Sequence, residues 1–137
     1  MVVFNIEDIM IAYDFVSTGV SGDARVVLDK KTGKLHYESV AAGEEIEEDL
    51  DWEDCVEVPD KYDLDLGNQL VFDFVRQHMP DEYDRVSGYF RSKGAFRRFK
   101  DLLESQDLLE VWYGYEDQRV EESLRRWCEA NGVELEN

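Results

Sequence analysis

The chain has few cysteines, prolines and histidines, and it has no long apolar run. Its 137 residues include two residues of each of these three types. Cys55 and Cys128 allow one disulfide at most and form no C-x-x-C pair, so we expect reduced thiols and a cytoplasmic protein. No apolar run approaches the roughly 18 residues of a membrane-spanning helix. The first residues also lack the basic start of a signal peptide, and we expect no membrane partner.

Positive charge is also scarce. The chain has 33 Asp and Glu residues against 15 Lys and Arg residues, which gives a net charge of −18 at pH 7. A field of this sign repels nucleic acids and anionic membranes and attracts basic proteins. The expected partner is therefore a basic protein, and the charge disfavours nucleic acid. A high-salt habitat is a second explanation for the same composition.

What the chain contains is sufficient for one folded domain. Hydrophobic residues make up 43% of the sequence and aromatic residues 12%, and 137 residues is an ordinary domain length. We therefore expect a single domain over residues 1–137 that needs no metal or disulfide for its stability.

The first half predicts one helix and a small sheet. Apolar residues recur every three or four positions from Asn5 to Ser17, as in an amphipathic helix. Residues 24–29 and 35–40 read as a β-hairpin, and residues 55–58 as a third strand.

The second half has a helical period. A helix capped by Asn68 is expected to end before Pro80, and Gly94 is well placed for a left-handed turn between two further helices. A last helix is predicted from about Asp107 to Ala130. The fold class is therefore α+β: a small antiparallel sheet, made of the hairpin plus one strand, packed with about five helices, with a helical C-terminal half.

An acidic loop is predicted at about residues 41–54. It carries eight clustered carboxylates: Glu44, Glu45, Glu47, Glu48, Asp49, Asp51, Glu53 and Asp54. Because clustered like charges resist compaction, we expect residues 43–51 to be mobile, with few contacts, and Leu50 or Trp52 to anchor the segment. A calcium loop starting at Asp49 fails, since Asp54 occupies the place of the required glycine. A solvated acidic surface is the favoured interpretation.

A motif near the C-terminal end carries a family resemblance. Residues 94–101 read Gly-Ala-Phe-Arg-Arg-Phe-Lys-Asp, and Trp112-Tyr113, Arg119 and Trp127 follow. With these residues and the strand–turn pattern of residues 28–33 and 56–59, the chain resembles the bacterial uncharacterised protein family 0158 over most of residues 5–135. The acidic segment at 43–54 departs from the family pattern. The resemblance implies a fold and no activity.

The same motif lies in a basic segment, residues 91–100, which holds five cations and no acid. The cations are Arg91, Lys93, Arg97, Arg98 and Lys100. Interleaved Phe90, Phe96 and Phe99 are typical of a nucleic-acid or phosphate site. The helical spacing of Phe96 and Phe99, however, predicts core positions. Arg97 and Arg98 would then pair with carboxylates of the last helix, such as Glu116 or Glu121.

We favour this internal pairing, under which Arg97 and Arg98 mainly stabilise the fold. Exposed arginines would instead favour ligand binding. No catalytic motif is present, and neither His36 nor His78 has a metal-binding spacing, so we expect no catalytic residue, metal or cofactor. The favoured function is a non-catalytic acidic interaction or regulatory domain, one form of which would mimic nucleic-acid charge. The alternatives are nucleic-acid or phosphate-ligand binding through residues 91–100, and an enzyme with an unrecognised site.

Overall fold

Five helices and a three-stranded antiparallel sheet make up the computed structural model, which describes residues 2–18, 23–40, 43, 45–46 and 49–136. The α+β class and the helical C-terminal half are confirmed. The elements are α1 (Ile6–Ser17), β1 (Ala24–Asp29), β2 (Leu35–Ser39), β3 (Cys55–Glu57), α2 (Asn68–His78), α3 (Tyr83–Tyr89), α4 (Ala95–Ser105) and α5 (Leu109–Ala130), with short 3₁₀ turns at Trp52–Asp54 and Pro80–Glu82.

Helix α1 begins as its sequence predicts. The Asn5 side chain accepts a hydrogen bond of 2.8 Å from the backbone N–H of Glu7, which satisfies one of the unpaired donors of the first turn. Ile9, Ala12 and Tyr13 form the buried face of α1. The spacing of these residues places α1 against the sheet, where Phe15 meets Tyr37 of β2 edge-on at 5.1 Å between ring centroids.

The sheet has the order β2-β1-β3, with β1 in the centre. Val26 pairs with Tyr37, and Leu28 pairs with Leu35 on one side and with Val56 on the other. The hairpin turn is closed at Asp29, which accepts hydrogen bonds from the backbone N–H groups of Lys31 and Thr32. Gly33 supplies the positive φ of 81° that this turn requires.

The sequence did not predict a pairing between the two ends of the chain. Phe4 forms a parallel bridge with Leu135, in which the N–H of Phe4 donates to Glu134 at 2.8 Å and the N–H of Glu136 donates to Phe4 at 2.9 Å. The predicted helix stop after α5 is confirmed. Gly132 has a φ of 69°, and the N–H of Val133 donates to Cys128 at 2.8 Å, as in a Schellman cap.

Aromatic rings form the centre of the helical region. The Trp112 ring lies 5.2 Å from Phe74 and 5.0 Å from Phe99, in both cases edge-on. Such edge-on pairs are favourable because the positive edge of one ring meets the negative face of the other.

The prediction that Asn68 caps α2 is wrong: Gly67 occupies the cap position and no side chain caps this helix.

The chain falls into two compact units. Unit 1 comprises Met1–Leu64 with Glu121–Asn137, and unit 2 comprises Asp65–Val120. The charge is divided very unequally, since unit 1 holds 22 acidic and seven basic residues, net −15, while unit 2 holds 11 and eight, net −3. The expectation of one domain over residues 1–137 stays a prediction.

Candidate functional site

The basic segment forms the loop between α3 and α4 and the first half of α4. Gly94 adopts a φ of 80°, which turns the chain at the start of α4. All five cationic side chains of the segment are exposed: Arg91, Lys93, Arg97, Arg98 and Lys100. Five exposed positive charges therefore lie within ten consecutive residues of unit 2.

The expected ion pairs of Arg97 and Arg98 are not observed. Among the residues that the structure describes, no cation of the basic segment forms a salt bridge. Glu121 pairs instead with Arg125 on its own helix, at 3.2 Å. Arg98 donates a hydrogen bond of 2.8 Å to the Ser92 hydroxyl, which ties α4 to the preceding loop. The predicted pairing with the last helix is therefore wrong, because both arginines are exposed to solvent, and the predicted stabilising role of the two residues stays a prediction.

Two aromatic rings accompany these charges at the surface. Phe99 is fully buried, as expected, but Phe96 is 41% exposed and does not belong to the core. The Phe96 ring rests edge-on against Phe90 at 5.2 Å. Tyr113 of α5 is 42% exposed, and the Lys100 ammonium lies 5.7 Å from the centre of its ring. Phe96 and Tyr113 thus offer partly open ring surfaces beside the cations.

The local backbone adds to the positive field. No side chain caps the N-terminus of α4, so its first N–H groups and the positive end of the helix dipole remain available to an anion. The positive surface is limited in extent, because Asp101 and Glu104 are exposed in the second half of the same helix. We therefore name residues 91–100 with Tyr113 the basic–aromatic face.

The acidic segment is only partly described. Glu44, Glu47 and Glu48 lie outside the described residues, while Glu45, Asp49, Asp51 and Glu53 are exposed and Asp54 is half-buried. The expectation of few contacts is wrong at Ile46, which is buried.

The end of the acidic segment also makes contacts. Trp52 is 44% exposed, and the Arg25 guanidinium lies over its ring, 5.6 Å from the ring centroid. The carbonyl of Asp54 accepts a hydrogen bond of 2.9 Å from the N–H of Lys30. These contacts hold residues 51–54 against the hairpin. The predicted mobility of residues 43–51 stays a prediction.

A polar network in unit 2 was not predicted from the sequence. The Asp73 carboxylate accepts hydrogen bonds from Gln69, Arg76 and Arg119, the last from a helix 46 positions away in sequence. Arg119 also donates to the Tyr115 hydroxyl. The presence of Arg119 in the family motif was the one available signal, and the network shows that this arginine joins α5 to α2.

Neither thiol is activated as a nucleophile. Burial raises the pKa of Cys128 to about 11, and burial with nearby carboxylates raises the pKa of Cys55, so both groups stay protonated at neutral pH. His78 stacks on Phe74 with 4.4 Å between ring centroids. Within the described ranges, no group of three or more His, Cys, Asp and Glu side chains is placed to hold a metal ion, and no helix is long and apolar enough to cross a membrane.

Comparison with known proteins supports the resemblance read from the motif. The chain is similar to the UPF0158 protein PA5073 of Pseudomonas aeruginosa, with 33% identity over 67 residues. The resemblance to this uncharacterised family is confirmed. The match covers 47% of this chain and 44% of the relative, so the chain spans less than half of the protein that it matches. That protein's name states no activity. No family model and no solved structure matches the chain.

Proposed function

We propose that this chain is a non-catalytic binding domain whose ligand is single-stranded nucleic acid, bound by the basic–aromatic face. One observation carries the proposal: five cationic side chains within ten consecutive residues are all exposed, and none forms a salt bridge with a described carboxylate. Phosphates are the ligands that such a cluster attracts. The open rings of Phe96 and Tyr113 supply surfaces on which bases can stack.

The charge of the rest of the chain favours a single strand over a duplex. Without the five cations of the basic segment, the chain sums to −23. A rigid duplex brings many closely spaced phosphates into the field of this excess negative charge, which salt screens only past about 8–10 Å. A flexible single strand can follow the face over a few nucleotides and keep its other phosphates away.

The proposal is tested by titrating the protein into a labelled single-stranded oligonucleotide of about 12 nucleotides at about 50 mM salt, where phosphate contacts are strongest. The variant Arg97→Ala/Lys100→Ala should bind about tenfold more weakly, since it loses two phosphate contacts. The matched control is Arg125→Ala/Arg126→Ala, which removes the same charge from exposed positions of α5 outside the face. The control should bind like the parent.

A second comparison separates stacking from charge. Phe96→Ala leaves the net charge unchanged and should weaken binding by about 1–2 kcal/mol, the contribution of one base–aromatic stack. If the parent does not bind any single strand at low salt, or if the control and the site variant lose affinity equally, the basic–aromatic face is not the ligand site.

A second candidate function concerns unit 1, where a basic protein would dock on the acidic surface. The net charge of −15 on this unit favours the candidate, because complementary charge steers association. The acidic surface comprises the described carboxylates of residues 45–54.

Two free cysteines, Cys55 and Cys128, support a reducing compartment such as the cytoplasm.

A further inference from the structure

The strand β2 lies at an open edge of the sheet. In the order β2-β1-β3 it pairs with β1 alone among the described residues. The N–H of Asp29 donates to the carbonyl of Lys34, and the N–H of Val40 donates to the carbonyl of Asp23, both at 2.9 Å. Even-numbered residues of β2 therefore direct their backbone groups to β1.

It follows that Leu35 and Tyr37 direct their N–H and C=O groups to the open edge, since these directions alternate along an antiparallel strand. No backbone group of the described residues bonds to them. Such an edge is a template for strand addition by an extended peptide.

A groove lies beside this edge on the side of the sheet that α1 covers. It has a volume of about 200 Å³ and is lined by Asp8, Ile11, Leu35 and Tyr37. Ile11 is 61% exposed, so an apolar side chain of α1 is open to solvent beside the edge. The groove therefore offers an apolar wall together with one carboxylate, that of Asp8.

This combination suits a lysine or arginine side chain. The aliphatic stem of such a residue can lie along Ile11 and Leu35 while its cation reaches Asp8. The net charge of unit 1, −15, favours the same class of ligand. A second copy of this chain would bring another −15 to the edge, so the charge disfavours self-pairing.

We propose that the open edge of β2 binds an extended, basic segment of another protein as a fourth strand, with one basic side chain of that segment in the groove beside Asp8. The inference rests on the second candidate function, an acidic surface that docks a basic partner, and assigns it a place and a binding mode. Strand β2 has five residues, so a segment of about five residues fills the edge.

The probe is a synthetic peptide of about seven residues in which lysine and valine alternate, long enough to cover one strand of ordinary length. Two further peptides carry backbone N-methyl groups, one on every lysine and the other on every valine. In a bound strand only alternate residues direct their N–H groups to β2, and in this peptide those are either all the lysines or all the valines. The peptide methylated on those residues should bind about tenfold more weakly, because it loses two or three hydrogen bonds. The other should bind like the unmodified peptide.

Two protein variants test the groove with a matched change of charge. Asp8→Asn removes the carboxylate in the groove, whereas Glu7→Gln removes the neighbouring carboxylate of the same helical turn, outside the groove. Asp8→Asn should weaken binding of the peptide about fivefold, as loss of a partly exposed ion pair does, and Glu7→Gln should have little effect.

Three outcomes decide between the proposals. A loss confined to one methylated peptide and to Asp8→Asn supports strand addition at β2. Equal binding of both methylated peptides, or equal effects of the two variants, overturns strand addition while leaving the acidic docking surface in place. Failure of every peptide to bind the parent contradicts both.

Discussion

At the scale of single residues, Asp29 illustrates how a buried carboxylate is stabilised by the backbone. The carboxylate is 5% exposed and accepts N–H groups from Lys31 and Thr32. The hydrogen bond from Lys31 is the main cause that lowers the pKa of Asp29 below its ordinary value of 3.8, and burial opposes it. The ionised form therefore stabilises the hairpin turn.

We expect Asp29→Asn to lower the free energy of unfolding by about 1 kcal/mol at pH 7, because it replaces charge-assisted hydrogen bonds with neutral ones. Since the folded pKa is depressed, the contribution of the charge is complete above the unfolded value of 3.8 and is lost as the pH falls through the folded value. Urea unfolding at neutral and acidic pH measures this. The difference between parent and variant should shrink below pH 3.8, and a difference that grows there would contradict the assignment.

Asp73 provides a second test at this scale. Its carboxylate pairs with Arg119 at 3.3 Å and the two side chains are 25% and 31% exposed. We expect a double-mutant cycle of Asp73→Ala and Arg119→Ala to give a coupling energy of about 0.5–1 kcal/mol, the range for partly exposed pairs. Denaturant unfolding of the four proteins measures this energy. A coupling energy near zero would mean that the network does not join α2 to α5.

At the scale of elements, helix α4 depends on the left-handed turn at its start. Gly94, with φ at 80°, and Gly114, inside α5, both have nothing within 4 Å of the place of a Cβ atom. The two positions therefore differ in backbone conformation and not in available space.

The same substitution should consequently have opposite effects at the two positions. Gly94→Ala should destabilise by about 1–2 kcal/mol, since alanine is strained at positive φ. Gly114→Ala should stabilise by about 0.5–1 kcal/mol, since alanine is the better helix former. Thermal and urea unfolding of both variants check the prediction. A stabilising Gly94→Ala would show that the turn does not require glycine.

The sequence predicted these elements well where one local rule decides the structure. Strand β1 was predicted with its observed bounds, because its β-branched run ends at a turn that needs glycine at Gly33. The prediction for Phe96 failed because helical spacing shows that a residue lies on the apolar side of a helix. It does not show whether that residue is buried or lies at the boundary with solvent. Phe96 lies at that boundary, about 100° around the helix from Arg97.

Contacts between distant segments could not be predicted from local patterns. The bridge between Phe4 and Leu135 and the hydrogen bond between Asp73 and Arg119 join segments 131 and 46 positions apart. Contacts that close such long loops produce no periodic pattern of residue types in the sequence. The residues of the candidate site could be named from the sequence, and their role as a ligand site stays a prediction. The ion pairs assigned to Arg97 and Arg98 depended on side-chain directions that a single sequence does not contain.

At the scale of the whole molecule, the central feature is the separation of charge between the two units. The five cations of the basic–aromatic face lie in the unit of net −3, and the acidic surface lies in the unit of net −15. We expect Arg97→Ala and Arg98→Ala each to change the free energy of unfolding by less than about 0.5 kcal/mol, as exposed side chains without ion pairs do. Urea unfolding measures this change, and a loss above about 2 kcal/mol would return both arginines to a structural role.

The most direct test of the central claim is to follow backbone amide chemical shifts of isotope-labelled protein during titration with a single-stranded oligonucleotide at low salt. The account predicts that the largest changes fall on residues 90–100 and on Tyr113, and that Arg97→Ala/Lys100→Ala removes most of them. Shifts that change mainly in unit 1, or that do not change at all, would contradict the assignment of the basic–aromatic face as the ligand site.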